Sequence, residues 1–174
     1  MANLEPPRCL RSVVARAVAD PGLELDAVVD EWTSVFYALA CSCGSSRFAV
    51  RSFIYREEFL EQDRAYGPMA IACAECDRKS EIFDPERHGF DVEIDHFPKP
   101  GPYRGTLREF ACASCSGKTF ALVARFQYPD EVLNPLRGPA GFNAAREDLF
   151  SYFSLLGTCG ACEAGVTIAS IECS

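Results

Sequence analysis

The chain has 174 residues, of which 48% are hydrophobic and 11% aromatic, and its formal net charge is −8. This composition excludes a disordered polar tail, and it supplies enough apolar side chains for one or two small domains that need no disulfides. The acidity is concentrated in residues 1–100, which hold 18 Asp and Glu against 11 Lys and Arg. Such a surface repels nucleic-acid phosphates and favours basic partners, although acidity can also serve solubility alone. We therefore expect a protein partner, with a basic one favoured by the charge, and no nucleic acid.

The N-terminal segment carries no recognisable export or membrane signal. Residues 1–8 lack the apolar h-region of a signal peptide, and no stretch reaches the ~20 apolar residues of a membrane span. We therefore expect a cytoplasmic protein with no membrane association. In a reducing compartment, closely paired cysteines are more typical of metal ligands than of disulfides.

A helix is predicted first along the chain, over residues 8–19, because the apolar residues from Leu10 to Val18 follow helical spacing. A second short helix is predicted over residues 25–31. From Trp32 onward, aromatic and β-branched residues alternate with cysteine-containing turns, which favours strands. Three prolines and one glycine make residues 98–102 a stiff connector, and residues 128–147 are predicted to form a long loop that ends near a short helix. The predicted organisation is an N-terminal helical segment (1–31), a first β half (32–97), the connector (98–102) and a second β half (103–174).

Eight of the ten cysteines occur in four closely spaced pairs. The pairs are Cys41/Cys43, Cys73/Cys76, Cys112/Cys115 and Cys159/Cys162. Two thiolate pairs brought together form a tetrahedral four-sulfur site, the geometry that Zn²⁺ takes in structural sites. Iron, as in rubredoxin-type centres, is the alternative ion. Because 29 residues separate the first two pairs and 43 separate the last two, we expect one site within each half and two zinc ions in all.

Two points about these sites stay open. The spacing does not decide which pairs share an ion, and the single residue between Cys41 and Cys43 leaves open whether both bind it. A small residue after the second cysteine helps such a turn to close, as at Gly44 and Ser116. Asp77 and Glu163 occupy the same place in the other two turns, which makes those turns chemically atypical.

The two halves resemble each other in sequence. Phe48 follows Cys43 by five positions, and Phe120 follows Cys115 by the same interval. A second match is found after the later turns, where Ile82 lies six residues after Cys76 and Ile168 lies six residues after Cys162. This self-similarity predicts an internal repeat of strand, cysteine turn and strand.

The four cysteine turns and their flanking strands resemble the zinc-ribbon group, which is built on rubredoxin-like knuckles, in a tandem arrangement covering about 130 residues from Trp32 onward. The resemblance implies a mainly β (small α+β) fold of two zinc-ribbon-like halves, to which the predicted N-terminal helix is added. The group covers many functions, so the resemblance implies a fold and a metal.

A narrower resemblance concerns the first half. Cys41-x-Cys43 followed by Cys73-x-x-Cys76, with Ile82-Phe83-Asp84 after it, is similar to the zinc centre of redox-switched heat-shock chaperones. In that family, oxidation releases zinc and exposes a client-binding surface. A redox-switched zinc protein is therefore one alternative function, and a nucleic-acid-binding zinc ribbon is another.

Other polar clusters have simpler explanations. Asp91, Glu93 and Asp95 lie on alternate positions between the two histidines, His88 and His96, which suits either a hard-metal role or a solvated acidic edge strand. A second acidic cluster is either a docking face for a basic partner or ordinary surface, and it comprises Glu57, Glu58, Glu61 and Asp63.

No arrangement in the sequence indicates catalysis. There is no phosphate-binding glycine loop and no recognisable acid–base pair, and a zinc site made of four thiolates keeps no open coordination position. The two remaining cysteines, Cys9 and Cys173, are expected to be packed thiols. The sequence thus favours a non-enzymatic zinc-binding protein that acts as a protein–protein interaction module, such as an adaptor or an immunity-type acidic protein.

Overall fold

The computed structural model describes residues 5–22, 32–57, 62–89, 106–133 and 146–173. Nine strands lie in these ranges: β1 Val14–Val18, β2 Thr33–Ala40, β3 Arg47–Glu57, β4 Gln62–Cys73, β5 Lys79–Phe83, β6 Arg108–Glu109, β7 Phe120–Tyr128, β8 Tyr152–Cys159 and β9 Gly165–Glu172. The helical segments in the same ranges are short: 3-10 turns at Arg8–Leu10 and Arg146–Asp148, and the single-turn helix α1 at Asp130–Leu133. The protein is therefore mainly β, as predicted.

All strand pairs are antiparallel and belong to one curled sheet. β7 lies at its centre and pairs with β8 along one edge. Along its other edge, the start of β7 pairs with β3 and the rest of the strand pairs with β2. β3 continues through β4 to β5, β8 continues to β9, and β1 covers the outer edge of β2. The curl brings β4 and β9 together. At this contact, the Nη1 atom of Arg64 on β4 donates a hydrogen bond of 2.5 Å to the carbonyl oxygen of Thr167 on β9.

The predicted N-terminal helix over residues 8–19 is wrong. After the 3-10 turn at Arg8–Leu10, the chain forms β1, which pairs with β2 from Val14 opposite Ala40 to Val18 opposite Phe36. The segment is rich in valine, whose branched side chain suits a pleated strand better than a helix, and an isolated helix of this length would be marginal. The free edge of β2 provides hydrogen bonds that such a helix would not have. The second predicted helix (25–31) and the connector (98–102) lie outside the described residues.

The internal repeat is confirmed by the strand register. In the first half, Phe48 on β3 lies opposite Cys73 on β4; in the second half, Phe120 on β7 lies opposite Cys159 on β8. These are the phenylalanines that the sequence comparison aligned. After the second cysteine turn, Lys79 on β5 and Gly165 on β9 start the next strand at the same distance from these cysteines.

A β-bulge recurs at the second pair of aligned residues. The β4–β5 register skips Ile82, and the β8–β9 register skips Ile168, so each isoleucine is the extra residue of a bulge. Both side chains are fully buried. Since an extra residue re-aims the neighbouring side chains and increases the local twist, the two bulges help to curl both halves in the same way.

The halves exchange strands reciprocally. β2, which precedes the first cysteine turn of the first half, pairs with β7 of the second half, and Ala38 lies opposite Val123. β6, its counterpart, pairs with β3 of the first half, and Glu109 lies opposite Arg51. β3 and β7 meet directly where Phe48 lies opposite Phe120, so an approximate two-fold axis passes near these residues.

Aromatic side chains fill the interior of the curl. Phe83 stacks on Phe153 with ring centroids 4.1 Å apart, and Phe126 contacts Phe150 edge-on at 4.6 Å. All four rings are almost completely buried. These aromatics therefore form the core, and they are not available to stack on nucleic-acid bases.

Candidate metal centres

Cys41, Cys43, Cys73 and Cys76 form the first cluster, where the turn after β2 meets the turn after β4. The Sγ atoms of Cys41 and Cys76 are 3.6 Å apart, and those of Cys43 and Cys73 are also 3.6 Å apart. All four sulfur atoms lie within 4.8 Å of one another. The structure thus brings together the four cysteines that the sequence assigned to one site, including both members of the unusually tight first pair.

The second cluster contains Cys112, Cys115, Cys159 and Cys162. Its Sγ···Sγ distances are 3.7 Å between Cys112 and Cys162 and 3.6 Å between Cys115 and Cys159, and again all four sulfurs lie within 4.8 Å. In both clusters, the first cysteine of each turn is buried and the second is exposed. Each cluster therefore sits at the surface with one side open to solvent.

The sulfur geometry fits a tetrahedral metal ion. With metal–sulfur bonds of about 2.3 Å, the edges of a tetrahedron of sulfurs measure about 3.8 Å, close to the distances found in both clusters. A disulfide would require about 2.05 Å, and all ten cysteines are free thiols. The two clusters can each hold one metal ion, and the geometry alone does not distinguish zinc from iron.

The same main-chain hydrogen bond closes the turn that carries the second cysteine pair in each cluster. The N–H of Cys73 donates to the carbonyl of Arg78, and the N–H of Cys159 donates to that of Ala164, at 2.9 Å in both cases. In each cluster, a further main-chain hydrogen bond joins one turn to the other. Nothing in the sequence indicated these bonds, because they do not depend on the residue type. These bonds run from Ala74 N–H to the Arg47 carbonyl and from Gly160 N–H to the Thr119 carbonyl.

All four turns place the residue after the second cysteine in the left-handed region. The φ angles are 94° at Gly44, 53° at Asp77, 59° at Ser116 and 60° at Glu163. The turns at Asp77 and Glu163, atypical in sequence, therefore share this left-handed conformation with the other two. Aspartate tolerates this region, whereas glutamate carries the full steric cost of its Cβ atom. The similarity of the turns was hidden from the sequence because the residue type at this position differs each time.

Gly117 leaves room for the sulfurs of the second cluster. A Cβ atom at this position would lie 3.0 Å from the Sγ of Cys159 and 3.2 Å from that of Cys115. The N–H of Gly117 also points at the Cys115 sulfur, 3.4 Å away. A side chain at this position would therefore crowd these two sulfurs.

The thiols of a cluster do not ionise independently. Backbone N–H groups of Ala161 and Cys162 lower the pKa of Cys159 to about 7. The N–H of Gly117 acts in the same direction on Cys115, but the neighbouring thiols outweigh it and raise its pKa to about 12. Four thiolates so close together repel one another, so complete ionisation requires a cation between them.

Cys9 and Cys173 lie in the core, outside both clusters. Burial raises the pKa of Cys9 to about 12, and it raises the pKa of Cys173 as well. Both thiols are therefore poor nucleophiles and poor metal ligands in the folded protein.

Among the described residues, the histidines and acidic clusters singled out in the sequence form no metal site besides the two cysteine clusters. The Nδ1 atom of His88 accepts a hydrogen bond from the backbone N–H of Asp84 at 2.9 Å, so this histidine closes a turn. Its pKa is lowered, chiefly by burial. Residues 91–96, with the three alternate carboxylates and the second histidine, lie outside the described residues, as do residues 58–61 of the other acidic cluster.

Comparisons with protein-family models, with curated proteins and with solved structures found no significant match to this chain. Among the described residues, no helix has the length and apolar character needed to cross a bilayer.

Proposed function

We propose that the chain is a non-enzymatic protein that binds two structural zinc ions and presents the surface of its sheet to a partner protein. One observation carries the metal assignment: in each half, four cysteine sulfurs lie within 4.8 Å of one another, and two sulfur pairs are 3.6–3.7 Å apart, close to the edges of a zinc–thiolate tetrahedron. A metal held by four cysteines has no open position for water or substrate. This closed geometry supports a structural role.

The positions of the clusters explain why the metals would matter for stability. Each cluster joins two turns that lie far apart in sequence, and the sheet strands start directly from these turns. Zinc binding in comparable small sites contributes on the order of 10 kcal/mol to folding. That magnitude is comparable to the whole stability of a typical domain, so loss of either metal would unfold the surrounding strands.

The net charge supports a protein partner. An acidic surface of −8, made more negative by thiolate clusters that zinc only partly neutralises, favours a basic protein and disfavours nucleic acid. A cytoplasmic adaptor or an immunity-type protein that neutralises a basic partner fits this charge.

Metal content per chain tests the first part of the proposal. Protein purified without chelators should contain two zinc ions by elemental analysis, and two thiols, Cys9 and Cys173, should react only after unfolding. Iron in place of zinc, together with a visible absorption band, would identify the bound metal as iron. A metal-free protein with oxidised cysteines would overturn the assignment of metal sites.

Affinity capture from the native host tests the second part. We expect a protein to be retained by the zinc-loaded chain and to be lost when the chain is unfolded with chelator. Tight binding to DNA or RNA that weakens steeply with salt, without any captured protein, would refute the interaction function.

A redox switch is the second candidate, and it is favoured by the solvent exposure of four cysteines. The second cysteine of every turn is exposed: Cys43, Cys76, Cys115 and Cys162. A small oxidant can therefore reach both clusters. Under this alternative, mild peroxide would release zinc and increase the binding of a hydrophobic dye, and reduction with added zinc would reverse both changes.

A further inference from the structure

The two cysteine clusters lie at the ends of one row of residues that crosses four neighbouring strands. Cys73 on β4 lies opposite Phe48 on β3, which in turn lies opposite Phe120 on β7. The row ends on β8, where Cys159 lies opposite Phe120. Since neighbouring strands are about 4.8 Å apart, about 14 Å of sheet separates the two cysteines. The clusters are therefore close enough for a long side chain of the first half to reach the second.

Arg47, at the start of β3, connects the two clusters. Its carbonyl oxygen accepts a hydrogen bond of 2.9 Å from the N–H of Ala74, which lies in the second turn of the first cluster. Its side chain extends towards the second half, where the Nη1 atom lies 3.4 Å from the place that a Cβ atom of Gly160 would occupy. Gly160 directly follows the ligand Cys159. The main chain of Arg47 thus holds one cluster, and its guanidinium lies beside the other.

The repeat is asymmetric at this contact. Ala74 is the counterpart of Gly160, since each follows the buried cysteine of its turn and donates its N–H to the neighbouring strand. Alanine carries a Cβ atom, whereas at Gly160 this atom would meet the guanidinium and would also lie 3.1 Å from the Oγ1 of Thr119. Thr119 is itself the counterpart of Arg47. The arginine and the space for it therefore occur in one direction, from the first half to the second.

The local charges explain why a cation is favourable at this place. Four thiolates and one Zn²⁺ would give the second cluster a formal charge of −4 + 2 = −2, and Glu163 in the same turn adds a further negative charge. Lys118, next to the other turn, is already paired with Glu109 at 3.1 Å. In the part of the chain that the structure describes, Arg47 forms no ion pair with a carboxylate. Its guanidinium thus offsets part of the negative charge of this cluster.

We propose that Arg47 of the first half is an electrostatic support of the second metal centre and raises the affinity of the second cysteine cluster for its metal ion. The inference rests on the proposed zinc binding and adds to it a residue outside the four ligands. A cation beside a thiolate cluster stabilises the ionised sulfurs that a metal requires. Because the hydrogen bond from Ala74 fixes the main chain of Arg47, formation of the first cluster also directs this guanidinium to the second.

The test withdraws zinc from the loaded full chain with a graded series of chelator concentrations and follows each cluster by its own amide signal. The N–H of Gly44 reports on the first cluster and that of Gly117 on the second. In Arg47→Gln, we expect the zinc affinity of the second cluster to fall about three-fold relative to that of the first, as for one exposed charge. The matched control is Arg78→Gln, which removes an exposed arginine from a turn of the first cluster and should cause no such fall.

Two further measurements separate the charge of Arg47 from its packing. Arg47→Lys keeps the charge and should retain most of the affinity of the second cluster. Salt at about 1 M shortens the screening length to about 3 Å and should remove the difference between the wild type and Arg47→Gln. A loss that persists in high salt, or that lysine does not rescue, would overturn the proposal. So would an unchanged ratio of the two affinities in Arg47→Gln, or an equal fall of this ratio in Arg78→Gln.

The outcome for Arg47 is separable from the outcome for the proposed metal sites. A chain that holds no zinc in either cluster would refute both. Two bound zinc ions, with the same ratio of affinities in the wild type and in Arg47→Gln, would refute the role of Arg47 and leave the metal sites standing. Because Arg47 is an exposed residue, the variant should fold, and an unchanged amide spectrum away from Gly160 verifies this.

Discussion

Replacing Glu163 by glycine should stabilise the protein, although it removes a side chain from the turn of a metal cluster. Glu163 holds a φ of 60°, in the left-handed region where a Cβ atom costs about 1–2 kcal/mol. Glycine avoids this cost but gives the unfolded chain more freedom, which offsets about 0.5–1 kcal/mol. The expected net gain is therefore about 0.5–1 kcal/mol, or about 1–4 °C in Tm for a chain of this size.

The matched control is Glu163→Ala, which removes the same carboxylate but keeps the Cβ atom and its strain. Thermal unfolding of the zinc-loaded proteins, with metal content verified for each, compares the two variants. We expect Glu163→Gly to melt above the wild type and Glu163→Ala to melt close to it. If the glycine variant were no more stable than the alanine variant, the left-handed turn would not be a source of strain at this position.

Three further predictions concern the clusters and the core. Cys159→Ser should lower the zinc content below two ions per chain, whereas Cys173→Ser should keep both, as measured by elemental analysis. Gly117→Ala should weaken zinc binding about 10–100-fold in a chelator competition, because the added methyl group would lie 3.0 Å from the sulfur of a ligand; an unchanged affinity would contradict this. Gly157→Ala should lower the free energy of unfolding by about 1–3 kcal/mol in denaturant titrations while keeping two zinc ions, since its Cβ would lie 2.8 Å from a buried isoleucine methyl.

That the two cysteines of each turn face the same ion was predictable, because thiols separated by one or two residues can do so whatever the rest of the fold does. Which turns share an ion was left open by the spacing, because it depends on the pairing of distant strands. The repeat was predictable for a related reason. Phe48 and Phe120, aligned in sequence, lie opposite Cys73 and Cys159 in the sheet. Local spacing thus carries information about the turns and about the strands directly attached to them.

The N-terminal segment was not predictable in the same way. An apolar run such as that from Val13 to Val18 suits one face of a helix and also an edge strand, and only the presence of β2 beside it decides between them. The pairing of β2 with β7, and of β6 with β3, lies equally beyond local patterns. These contacts join segments that are more than 50 residues apart, and nothing near either segment specifies its partner.

The reciprocal strand exchange makes the two halves mutually dependent. Each half supplies a strand that the sheet of the other half requires, so a fragment containing only one half would expose the edge that its missing partner covers. Two such fragments could satisfy each other only by meeting in solution, at a rate and extent set by their concentration. Joining them in one chain replaces this encounter with an intramolecular step, which no longer depends on the protein concentration. A single chain also permits what two identical subunits cannot: the two equivalent strand edges can diverge, since β1 covers the edge of β2 whereas, among the described residues, no strand covers the same edge of β6.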